Sequence, residues 1–142
     1  MVLRRALELG VAGVYLWDQP HIFWGWKQCD KDLSFQDMLE HLDSESVRAF
    51  IAASNPAFTE DHLCDFSEAR KLYRTLSNTV HGKLSGFESQ IQDRFSVNAF
   101  DWKAHLKQAA RVQDLLYRLW FNVFRDLKSD LKRKNPQLER FI

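Results

Sequence analysis

The chain has 142 residues, with 20 Lys plus Arg against 19 Asp plus Glu, and 45% of its residues are hydrophobic. That apolar content excludes a disordered chain, and five Gly with three Pro are too few for a turn-rich sandwich or barrel. A net charge of +1 removes the argument for a highly basic nucleic-acid binder, while leaving room for a local basic patch. The length suits one domain over residues 1–142.

The first predicted element runs from Val2 to about Asp18, with apolar residues at Leu3, Ala6, Leu7, Val11, Val14 and Tyr15. Gly10 and Gly13 weaken this helix by roughly 1 kcal/mol each unless another helix packs close to them. Its uncharged run, Leu9 to Trp17, is shorter than the roughly 20 residues that span a bilayer. Arg4 and Arg5 imitate the start of a signal peptide, but Glu8 interrupts the pattern. The expectation is therefore a buried first helix in a cytoplasmic protein with no membrane partner. Pro20 then redirects the chain. The cluster Ile22-Phe23-Trp24-Gly25-Trp26 is expected to plug the end of a helical core.

Two short helices come next. Ser34 caps one from Phe35 to Leu42, and Ser44 caps another through Val47, Phe50 and Ile51, which Asn55-Pro56 stops. Residues 31–66 hold eight acids and two basic residues, which reads as a solvated acidic face. Cys29 and Cys64 are too few for a disulfide scaffold or a four-cysteine zinc site, and both are expected as reduced thiols in or near the core.

A third helix is expected from about Thr59 to Val80, capped by Thr59 or Asp61 and stopped by Gly82. A fourth runs from about Phe100 to Lys132. Trp102, Leu106, Ala109, Val112, Leu116, Trp120, Val123 and Leu127 step along it by three and four. Its end is basic, with Arg125, Lys128, Lys132, Arg133 and Lys134 before Asn135-Pro136. The prediction is an all-α fold: an antiparallel bundle of three long helices and two short ones.

The chain lacks a phosphate-binding loop, a glycine-rich dinucleotide turn, a paired-histidine metal helix and a nucleophile elbow. One constellation remains, in Leu72-Tyr73-Arg74-Thr75-Leu76-Ser77-Asn78-Thr79-Val80-His81-Gly82-Lys83. At about 100° per residue, Ser77, Asn78 and His81 fall within about 60° of Arg74, while Ala69, Leu72, Leu76 and Val80 fall opposite. One face thus serves the core, and the other aligns a guanidinium, a hydroxyl, an amide and an imidazole.

Arg74, six intervening residues and His81 at the end of a bundle helix resemble the signature of the HEPN family. The stretches "LSNTVHGK" and "RALELGVAGVYLWDQP" are similar to helices of bacterial HEPN proteins from defence and toxin loci. The resemblance implies a metal-independent endoribonuclease that needs no cofactor and acts as a homodimer or higher homo-oligomer. Two copies of the motif then face each other across one composite site. Arg74 is expected to bind the scissile phosphate, and His81 to act as general base or acid. Asn78 and Ser77 orient the imidazole or the phosphate, with Lys71 and Lys83 as further substrate contacts. RNA is the implied substrate, and a regulatory protein is a further possible partner. The alternative in the same family is an inactive oligomerisation subunit of a defence or toxin–antitoxin complex. A third reading is a small-ligand bundle using Trp24 and Trp26.

Overall fold

A computed structural model describes residues 2–30, 32–56, 58, 64–80 and 99–137, without the side chains of residues 79, 80 and 99–101. The described residues form seven helices and no strand. These are α1 (Val2–Asp18), α2 (Pro20–Lys27), α3 (Phe35–Leu42), α4 (Glu45–Ser54), α5 (Phe66–Val80), α6 (Ala99–Val123) and α7 (Leu127–Lys134). The all-α expectation holds, with three long helices and four short ones rather than two. None of the described helices is long and apolar enough to cross a membrane.

Helix α1 packs against α2, α3, α5 and α6. Leu7, Val11, Ala12 and Val14 are buried, and each large aliphatic side chain removed from water contributes roughly 1.5–3 kcal/mol. Gly10 is buried where α6 comes closest. A Cβ there would lie 2.7 Å from Leu116 Cδ1, and the Gly10 carbonyl accepts the Trp120 indole N–H at 2.9 Å. Farther on, Trp17 meets Phe124 at 5.1 Å between ring centroids. The contacts advance together along both helices, so α1 and α6 run parallel.

Helix α5 runs the other way. Glu68 reaches Arg111 at 4.0 Å, while Asp65, one turn earlier, shares a groove with Arg118, two turns later on α6. The expected antiparallel pairing of these two helices is present. Phe66, Ala69, Leu72 and Leu76 of α5 meet the core with Val112, Leu115 and Leu119 of α6. The expected caps Thr59 and Asp61 lie outside the described residues. The helix begins at Phe66, capped by Asp65, whose carboxylate accepts the Glu68 N–H at 3.0 Å.

The apolar stripe of α6 differs from the expected one. Trp102 and Leu106 are exposed, Leu116 and Val123 are half-buried, and Trp120 remains 36% exposed. The core-facing set is Val112, Leu115 and Leu119, rotated by about 85° from the mean direction of the expected line. Given the register of Gly10 with Leu116, α6 starts about two and a half turns before α1 does, so no α1 residue covers Trp102 or Leu106. The helix also ends at Val123, and Phe124 to Asp126 form a turn before α7.

The short helices fill the other side. Ser34 Oγ accepts the Asp37 N–H at 3.3 Å and caps α3, burying Phe35, Met38, Leu39 and Leu42. His41 Nε2 lies 2.6 Å from Asp18 Oδ2, joining the ends of α3 and α1. Ser44 precedes α4 but its hydroxyl pairs with Ser46 instead of capping the helix. Val47 and Ile51 of α4 are buried, whereas Phe50 is exposed. Asn55, which ends α4, donates its amide to the Asn122 carbonyl at 3.3 Å.

The expected aromatic plug is corrected. Helix α2 buries no residue, and Phe23, Trp24 and Trp26 are all exposed. The bundle core closes with Leu7, Leu39, Leu42 and Leu119 as its fully buried large side chains, leaving α2 on the outside. Cys29 is likewise exposed, in the turn after α2, while Cys64 is buried as expected.

Candidate functional site

Helix α5 presents two chemically distinct faces. Ala69, Leu72 and Leu76 are 0–6% exposed, which fixes the rotation of the helix. Arg74, Thr75 and Asn78 then emerge on the solvent side, with Lys71 one turn before Arg74. The Arg74 side chain makes no hydrogen bond or ion pair with any other described residue. A guanidinium so placed keeps its five donors for a ligand, and its fork matches the oxygens of a phosphate.

Ser77 departs from the expected arrangement. It is half-buried, and its hydroxyl is shielded from solvent with no hydrogen-bond partner. Its position at the flank of the polar face turns Oγ toward the packed side, so it presents no donor to a ligand in this arrangement. His81 and Lys83, together with Gly82, lie outside the described residues.

The residue before Arg74 anchors the helix. Tyr73 stacks on Phe35 at 4.1 Å between centroids, with the planes 12° apart. Arg4 Nη2 donates to the Tyr73 hydroxyl at 2.9 Å, and that hydroxyl donates to Glu8 Oε1 at 3.0 Å. Arg4 also pairs with Glu8 at 3.2 Å. This network ties α1, α3 and α5 together directly beside Arg74. The sequence signal for it was the Arg4/Glu8 pair at i and i+4; its third member, Tyr73, is distant in sequence and gave none.

The antiparallel register of α5 and α6 brings a further feature level with Arg74. Counting back from Glu68 opposite Arg111, Arg74 stands level with about residue 105 and Asn78 with about residue 101. One residue from each are the exposed Leu106 and Trp102, the latter stacked on His105 at 5.8 Å. The exposed apolar pair and the polar face of α5 therefore occupy the same end of the bundle. The expected stripe included both residues but assigned them to the core.

Among the described residues no group of three or more His, Cys, Asp or Glu side chains is placed to hold a metal ion. No family model matches the chain, and no curated protein or solved structure matches it.

Proposed function

We propose that the chain is a HEPN-like, metal-independent endoribonuclease working as a homodimer, in a bacterial toxin or anti-phage defence setting. The observation that carries this reading is the two-faced α5, with a buried Ala69/Leu72/Leu76 stripe and Arg74 and Asn78 turned to solvent on the segment leading to His81. Arg74 holds the scissile phosphate and stabilises the charge that develops on its oxygens. His81 takes the proton of the ribose 2′-hydroxyl, which attacks the adjacent phosphorus, and the 5′-oxygen leaves with a proton. In-line displacement draws on both a base and an acid, and a two-fold axis supplies the second imidazole from the other copy. Asn78 orients the imidazole or the phosphate, and Lys71 and Lys83 contribute positive charge along the strand.

The exposed Trp102 and Leu106 support the dimer, because large apolar side chains level with Arg74 are the kind of surface a second copy covers. The same pair also serves the alternative, an inactive oligomerisation subunit, so activity separates the two. Purified protein is incubated with single-stranded RNA in excess EDTA. Arg74→Ala and His81→Ala are each expected to lose at least about a hundredfold in rate, with the Arg74 variant keeping the wild-type melting temperature. RNA left intact by the wild-type dimer, or cut equally by both variants, favours the scaffold.

A further inference from the structure

At the opposite end of the bundle, α1 and α6 finish beneath a row of rings, exposed except for the half-buried Phe124. Trp17 lies 6.1 Å from Phe50 and 5.1 Å from Phe124, ring to ring. Trp120 extends the row one turn before Phe124, held by its indole N–H on the Gly10 carbonyl and lying 3.8 Å from the Cβ that Gly13 lacks. Trp17 and Phe50 remain 49% and 48% exposed.

The chain becomes basic immediately after this row. Arg125, Lys128, Arg133 and Lys134 are exposed, while Leu127 and Leu131 are half-buried, so α7 turns its apolar side inward and its charges outward. Asp130 is taken by Arg133 at 2.8 Å, which leaves Asp126 as the remaining acid among these cations. Arg125, Lys128 and Lys134 form no ion pair with other described residues.

We infer that this ring row and basic segment form a platform for single-stranded nucleic acid. Bases stack on Trp17 and Phe50, and Arg125, Lys128 and Lys134 contact the phosphates. Exposed ring faces accept any base, and the cations that follow the row in the chain neutralise the backbone. A duplex fits poorly, because its base faces are already stacked. A second copy fits poorly too, because a two-fold axis through the row sets one basic segment against the other. A bilayer needs an apolar face that projects outward, whereas Trp120 and Phe124 are anchored in the bundle surface and α7 presents charge.

The inference stands without Arg74. Counted along α6, the platform lies roughly 27 Å from the level of Arg74, so one strand of several nucleotides reaches both.

The test uses the full-length protein and a fluorescently labelled oligothymidylate, which lacks the 2′-hydroxyl needed for cleavage. Anisotropy is expected to show binding that weakens linearly on a log–log plot as salt is raised. Trp17→Ala and Phe50→Ala are each expected to weaken it by about tenfold. Arg125→Glu combined with Lys128→Glu, which touches no ring, is expected to flatten the salt dependence while leaving the melting temperature unchanged. Trp17→Ala and Phe50→Ala are expected to weaken oligothymidylate binding whether or not the protein cuts RNA, so the two readings fail separately. Absence of oligothymidylate binding, or binding indifferent to both the ring and the charge variants, overturns the platform. Preferential capture by phosphatidylserine vesicles overturns it in favour of a membrane surface.

Discussion

Cys29 follows α2 with φ at 62°, in the left-handed region that side chains with a Cβ disfavour. The conformation is held because the Cys29 N–H reaches the Trp26 carbonyl and the Asp30 N–H reaches the Gly25 carbonyl, both at 3.0 Å. That pair of bonds closes a helix with the geometry usually given to glycine. Cys29→Gly is therefore expected to stabilise the fold by about 1 kcal/mol, read as a higher midpoint in urea denaturation. Cys64 behaves differently, because burial pushes its thiol up to about 12 from an ordinary 9.0. A thiol reagent at pH 8 should label Cys29 in the native protein and Cys64 only after unfolding. The unfolded chain releases the Cys64 proton near pH 9, whereas the folded chain holds it to about pH 12. The contribution of Cys64 to stability is thus complete below pH 9 and falls as pH rises across that window.

The contrast between Gly10 and Gly13 shows what α1 contributes as an element. At Gly10 a methyl group runs into Leu116, whereas at Gly13 it meets Trp120 at an ordinary 3.8 Å. Gly13→Ala is expected to raise stability by about 0.5–1 kcal/mol through helix propensity alone. Gly10→Ala is expected to lower it by about 1–2 kcal/mol, since the cost of overpacking exceeds that gain. Thermal melting of the two variants checks both signs. Whereas Gly10 and Gly13 marked a close helix approach only as an alternative to a weakened helix, the bounds of α1, the Ser34 cap and the solvent side of Arg74 were legible in the sequence. Each of those depends on local chemistry or on one helix's own periodicity. The rotation of α6 was not legible, because Trp102, Leu106 and Trp120 continue an apolar line next to the core-facing Val112, Leu115 and Leu119. Only the stagger of α1 against α6 decides which line is covered. The outward position of α2 was hidden for a related reason: aromatic content records a tendency to be buried, not whether the core has volume left.

Over the whole molecule, polar and apolar features segregate to two ends. One end carries Arg74 and Asn78 level with Trp102 and Leu106, and the other carries the Trp17 row and the basic α7. We propose that the first end serves self-association. Trp102→Glu with Leu106→Glu is expected to shift the protein from dimer to monomer in analytical ultracentrifugation while leaving its helical circular dichroism unchanged, since neither side chain supports the core. The same variant is expected to lose RNA cleavage, because a composite site needs both copies. The central claim is the chemistry at Arg74 and His81, and its most direct measurement is the identity of the RNA ends produced in excess EDTA. A 2′,3′-cyclic phosphate and a 5′-hydroxyl, with a strand carrying 2′-deoxyribose at the cleavage site left whole and the Arg74→Ala protein silent, is the predicted result. Ends bearing a 5′-phosphate, or cyclic-phosphate ends still formed at full rate by folded Arg74→Ala, would contradict it.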